Sequence, residues 1–158
     1  METRLWYKIT AVSLEEINQR AIALLSGIVY GPPELIAAAL KPTHEDFAAV
    51  FVGDAAKQAE DAYAAFWANP PGALTKTVGA KIRVITKLSQ DIVESGEFPG
   101  GYAKIAHLLA PDQAWSRFRL IGDGGKDAMA YDGLVALADG RWAWFPKPWR
   151  AFKAPDDN

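Results

Sequence analysis

The chain is predicted to be an α+β protein, with N-terminal helices packed on a curved antiparallel sheet formed by the C-terminal half. Three observations predict this. Up to Pro70, apolar residues recur every three or four positions, the period of a helix with one buried face. From Lys81 the period falls to two, as in a strand. The last third, Ala114 to Phe152, holds three strand-like runs joined by two turn signals. It also holds four of the six tryptophans, Trp115, Trp142, Trp144 and Trp149. The 158 residues suit one domain with a proper core, helical over about 1–70 and sheet over about 74–152. No repeat or long linker divides them.

Ser13-Leu14-Glu15-Glu16 has the form of a capping box and predicts a helix start, with Ile17, Ala21, Leu24, Leu25 and Ile28 following at helical spacing. Gly27 or Gly31 would end it. Pro32-Pro33 predicts a second helix through Leu40, because proline suits a first helical turn. Thr43 is placed to cap a turn carrying Phe47, Val50 and Phe51. Asp54 is placed to cap a further helix whose face is Ala55, Ala59, Ala62, Tyr63 and Phe66. Asn69-Pro70-Pro71-Gly72 stops that helix.

Lys81 to Leu88 alternates charged and apolar residues and predicts a strand with one wet face. Ser89 to Glu97 suits a short helix. Tyr102 to Leu109 is expected as a strand, because Gly100-Gly101 precedes it. Further strands are expected at about 114–121, 129–138 and 141–146, with Gly122-Asp-Gly-Gly as a hairpin turn. Asp139-Gly140 predicts a two-residue type I′ hairpin. That loop pairs Leu137 with Trp142, Val135 with Trp144 and Leu134 with Phe145. Both faces of the hairpin are then apolar, so one should meet the helices and the other more protein, a second subunit or a ligand. Pro146 and Pro148 end the ladder, and Pro155 to Asn158 reads as a frayed tail.

The formal net charge of −2 gives no basic excess for nucleic acid or anionic lipid. With no cysteine, disulfides, thiolate metal sites and a cysteine nucleophile are excluded. The N-terminus lacks a signal-peptide layout, and no apolar run approaches the ~18 residues of a membrane span. A cytoplasmic protein is expected.

Helices followed by a sheet that closes on Asp139-Gly140-Arg141-Trp142 resemble the NTF2-like (SnoaL-like, cystatin-like) α+β superfamily. Trp144 to Arg150, Trp-Phe-Pro-Lys-Pro-Trp-Arg, is similar to the ends of certain bacterial proteins. The first resemblance implies a cone-shaped pocket between sheet and helices. The group spans isomerases, dehydratases, cyclases, hydrolases and catalytically silent binding or dimerisation modules, so it implies no single reaction.

Two function classes stay open. One is a binding or interaction module, homodimeric through its sheet or holding a small apolar ligand or protein partner. Its binding candidates are Trp115, Tyr131, Trp142, Trp144, Trp149 and Arg117. Trp149 lies beyond the ladder between Pro148 and Arg150 and suits a partner contact or pocket rim. The other is a small pocket enzyme without cofactor or metal. Its general base would be His107, in the apolar run Ile105-Ala106-His107-Leu108-Leu109, or Asp132, inside an otherwise apolar strand where burial would raise its pKa. Tyr102 or Tyr131 would then donate to a substrate carbonyl. Each candidate also has a plainer reading. His107 suits a hydrogen-bonded or partly exposed histidine, Asp132 a bulge residue, the tryptophans core packing, and Arg117 with Arg119 a solvated strand face. The two classes differ in convergence, since an enzyme needs at least two of these polar groups facing one cavity.

Overall fold

The computed structural model describes residues 2–122, 124 and 128–152, with side chains from Leu14 onward. Four helices come first: α1 (Glu2–Ile28), α2 (Pro33–Leu40), α3 (His44–Val50) and α4 (Ala55–Ala68). Strand β1 (Lys81–Leu88) follows. A 3₁₀ turn and the short helices α5 (Ile92–Ser95) and α6 (Tyr102–Ile105) lead to β2 (Ala114–Ile121), β3 (Met129–Ala136) and β4 (Trp142–Trp144). A 3₁₀ turn, Pro148–Phe152, closes the described chain. The strands form one antiparallel meander in the order β1-β2-β3-β4. The fold is α+β, as predicted.

Local signals place most helix ends. Pro33 opens α2. Thr43 caps α3 in a full capping box, its hydroxyl accepting from the Asp46 N–H while the Asp46 carboxylate accepts from the Thr43 N–H. Asn69 ends α4 ahead of the two prolines. Asp54 takes the expected position before α4, but its side chain makes no capping bond, because its backbone is already helical (φ −64°, ψ −17°). Ser13 is not a helix start: α1 begins at Glu2 and runs through it. A capping box acts only where the chain enters a helix, and here the helical run is continuous. On α4 the buried positions are Ala55, Ala59, Tyr63 and Trp67, whereas Ala62 is exposed.

Tyr102 to Leu109 is helical, not a strand. Tyr102–Ile105 forms α6, a 3₁₀ turn covers Ala106–Leu108, and only Leu109 makes a bridge, to Phe51. The segment buries Tyr102, Ile105 and Leu109 at helical spacing and leaves Lys104 and His107 exposed, a pattern too short for its period to separate helix from strand. Asp123 and Gly125 of the Gly122-Asp-Gly-Gly turn, and the Pro155–Asn158 tail, lie outside the described residues.

The last hairpin has a different register from the predicted one. Leu134 pairs with Trp144, Val135 with Ala143 and Ala136 with Trp142. The loop is Ala138-Asp139-Gly140. The Gly140 N–H donates to the Leu137 carbonyl (3.0 Å) and the Leu137 N–H to the Arg141 carbonyl (2.9 Å). Only Gly140 has positive φ (+90°) in this loop. This is the three-residue hairpin, a tight turn followed by a left-handed glycine. It spares Asp139 the left-handed backbone that costs an L-residue about 1–2 kcal/mol. The one-residue difference re-sorts the faces. Leu134, Ala136, Trp142 and Trp144 share one, while Val135, Leu137, Ala143 and Phe145 share the other.

Both faces are covered by the chain itself. α1 lies along β1, where Thr86 donates to Asn18 and bonds Ser116 across the strands (2.7 Å). On the same face Trp144 meets Phe66 and Trp67 of α4 at 5.7 and 6.4 Å. On the other face α3 and α6 close over the strands. Phe145 packs edge-on against Phe47 and Phe51, each at 5.3 Å, and Trp115 against Phe51 and Tyr102. The apolar hairpin therefore reflects a sheet with elements on both sides.

Candidate functional site

Where α4, the sheet and the C-terminal turn meet, a cleft of about 470 Å³ opens. Tyr63 and Phe66 of α4 form one wall. Tyr131 of β3 and Trp144 of β4 form the base, and Pro71 to Leu74 form a second wall. Pro146, Lys147, Arg150 and Ala151 form the rim.

Backbone hydrogen bonds hold these parts. The prolines that stop α4 send the chain back across the end of α1, where the N–H groups of Ala73 and Leu74 donate to the carbonyls of Gly31 (2.8 Å) and Val29 (2.7 Å). Tyr131 donates its hydroxyl to the Leu74 carbonyl. Tyr63 donates to the Pro146 carbonyl at 2.8 Å, and the Trp144 indole N–H to the Asp132 carbonyl at 2.8 Å. Three aromatic polar atoms on the cleft walls are thus bonded to main chain. What they offer an occupant is ring surface.

Beside the cleft lies a buried polar pair. Asp132 and Gly133 together oppose Arg117 on β2, which makes a β-bulge between the Ser116–Leu134 and Phe118–Tyr131 pairs. Gly133 has φ +84°, and a Cβ there would collide with the Phe145 carbonyl. Only glycine fits this approach. The bulge turns Asp132 inward. Its Oδ1 accepts from the Tyr102 hydroxyl (3.0 Å) and from the Lys147 N–H (2.9 Å). Burial raises the Asp132 carboxyl above the usual range. The bonds from Lys147 and Tyr102, and the charges of Lys147 and Arg117, oppose that rise without cancelling it. Tyr102 is pushed well above its ordinary value by burial and then by the Asp132 charge.

The expected site residues scatter. Tyr131 and Trp144 line the cleft. Asp132 and Tyr102 bond each other but neither lines it. His107 is exposed on the 3₁₀ turn after α6 rather than buried in a strand, and it lines neither the cleft nor the groove beside α1. Arg117 donates to the Glu97 carbonyl, and Arg119 is exposed. Trp115 is fully buried core. Trp149 is half-buried over Gly101, whose Cβ would collide with the indole, and edge-on to Tyr102 at 5.4 Å. Trp142 lines a second groove of about 630 Å³ between α1 and the β4 hairpin, with Ile17, Arg20 and Arg141. Among the described residues no group of three or more His, Asp or Glu side chains gathers to hold a metal ion, and no helix is long and apolar enough to cross a membrane.

Sequence reasoning missed Lys147, Arg150 and the Pro71–Leu74 wall. A usable signal was present. Lys147 and Arg150 directly follow an aromatic strand closed by prolines, which sets two cations at the end of an apolar surface. Compared with known proteins, the chain is matched by no family model, no curated protein and no solved structure.

Proposed function

We propose that the protein is a binding module whose ligand site is the cleft between α4, the Pro71–Leu74 wall, the ends of β3 and β4 and the C-terminal turn. The carrying observation is the wall chemistry. The cleft is about 470 Å³, within the size range of small-molecule sites; four aromatic rings line it, and the polar atoms of Tyr63, Tyr131 and Trp144 are already bonded to backbone. Such a surface favours a small, largely apolar ligand. A pocket between sheet and helices is also what the NTF2-like resemblance implies. The pocket form of the reading is favoured over a dimerising sheet, because elements of the chain itself pack on both faces of the hairpin. It is favoured over a pocket enzyme because His107, Asp132, Tyr102 and Arg117 do not converge on the cleft.

The test is a fragment screen by nuclear magnetic resonance on the wild type and on Ala62→Trp. Ala62 is an exposed cleft residue on α4, so a tryptophan there fills the cleft without entering the core. Neutral aromatic fragments should shift resonances of Tyr131, Trp144 and Leu74, and Ala62→Trp should abolish the shifts. A screen in which no fragment moves those resonances sinks the proposal.

A further inference from the structure

Resting on the cleft reading, we infer that the ligand is an amphipathic anion with a planar apolar body, its acidic group held by Lys147 and Arg150. Three observations carry this. First, the walls offer rings and no unbonded tyrosine hydroxyl or indole N–H, since Tyr63, Tyr131 and Trp144 each donate to a main-chain carbonyl. Second, the cations on the rim, Lys147 and Arg150, are exposed and make no ion pair among the described residues. Third, Lys147 stands in the left-handed region at φ +48°, a conformation glycine adopts without strain.

The surroundings fix that conformation. The Lys147 N–H is bonded to buried Asp132, the preceding Pro146 carbonyl accepts from Tyr63, and the Lys147 carbonyl accepts from the Arg150 N–H at 3.0 Å. A strained non-glycine residue held by its neighbours is a recurrent feature of ligand clamps. The same small turn sets a guanidinium and an ammonium at one mouth. Arginine adds a flat fork suited to a carboxylate. The chemistry that fits is an aromatic carboxylate, its rings against Phe66, Tyr131 and Trp144 and its charge at the rim.

The test uses 2-naphthoate and the uncharged naphthalene-2-carboxamide, titrated by calorimetry into the wild type and the Lys147→Gln/Arg150→Gln variant. Tyr131 and Trp144 resonances report where each binds. The carboxylate should bind the wild type on the order of tenfold tighter than the amide, as expected for two exposed ion pairs. That preference should shrink as salt rises, and it should vanish in the double variant. Equal binding of the two compounds to the wild type overturns the anion inference and leaves the cleft reading standing. A preference that survives in the double variant also overturns it, since the charge is then held elsewhere. If neither compound moves the cleft resonances, the cleft reading falls together with the inference. Arg150→Gln alone serves as the second variant if the double one fails to fold, and should lower the preference by a smaller factor.

Discussion

The Tyr102 hydroxyl donates to Asp132 Oδ1 at 3.0 Å across 30 residues of chain, and it ties α6 to the bulge of β3. The same oxygen accepts from the Lys147 N–H. One buried carboxylate therefore joins the short helix, the sheet and the turn that rims the cleft.

This arrangement predicts a pH dependence. Asp132 has its folded-state pKa raised, first by burial. Its contribution to stability is therefore fully present below the unfolded value of about 3.9 and is lost as pH rises through the folded pKa. Asp132→Asn keeps a carbonyl oxygen for both donors and removes the buried charge. It should raise the melting temperature at pH 7 and leave it unchanged near pH 3.5. Equal effects at both pH values would show that the charge is not the cause.

Gly133 should tolerate no side chain. Gly133→Ala sets a Cβ against the Phe145 carbonyl at a position with φ +84°. Denaturant unfolding should show a loss of roughly 4 kcal/mol or more, in the range of severe strain or overpacking. A loss below about 1 kcal/mol would mean that the bulge rearranges freely.

The hairpin register separates two loop geometries by one substitution. In a type I′ turn Asp139 would occupy a left-handed position, and Asp139→Gly would stabilise. In the three-residue loop the Asp139 carboxylate accepts from the Arg141 backbone N–H (3.0 Å) and Nε (2.8 Å), so the same change should lower the melting temperature. Gly140→Ala, at φ +90°, should cost about 1 kcal/mol.

Asp46 is the anchor of α3. Burial alone would raise its carboxyl, but bonds from Arg141 and Thr43 outweigh burial and hold it below the ordinary value. Arg141 grips it with both terminal nitrogens, at 3.1 and 2.7 Å. Its contribution is present above about pH 4 and lost as pH falls through the lowered folded pKa. Asp46→Ala, which removes the capping box and the ion pair together, should cost roughly 2 kcal/mol at pH 7, read by urea unfolding, and less at acid pH.

Trp144 is 2% exposed and bonds the Asp132 carbonyl. Trp144→Ala should cost about 3–5 kcal/mol. Trp144→Phe keeps a ring and removes the indole bond to that carbonyl, and should cost about 1–3 kcal/mol. Similar losses for both would assign the role to the hydrogen bond rather than to ring packing.

By itself the sequence determined the fold class, the Pro33, Thr43 and Asn69 boundaries, β1, and the meander of the last third. These rest on interactions within a few residues: a proline without an N–H, a capping hydroxyl, an alternation of apolar side chains. Only the tertiary structure decided four other features. Tyr102 to Leu109 became helical because its buried residues met Phe51 and Trp115 at helical spacing. The hairpin took the three-residue register, in which Asp139 avoids the left-handed backbone and Arg141 bonds both Asp139 and Asp46, 95 positions away. Asp132 turned inward because a bulge against Arg117 needed a glycine beneath Phe145. The cleft arose where segments around residues 63, 74, 131, 144 and 147 meet. Each of these depends on contacts between segments far apart in the chain, and periodicity or spacing within one segment carries no record of them.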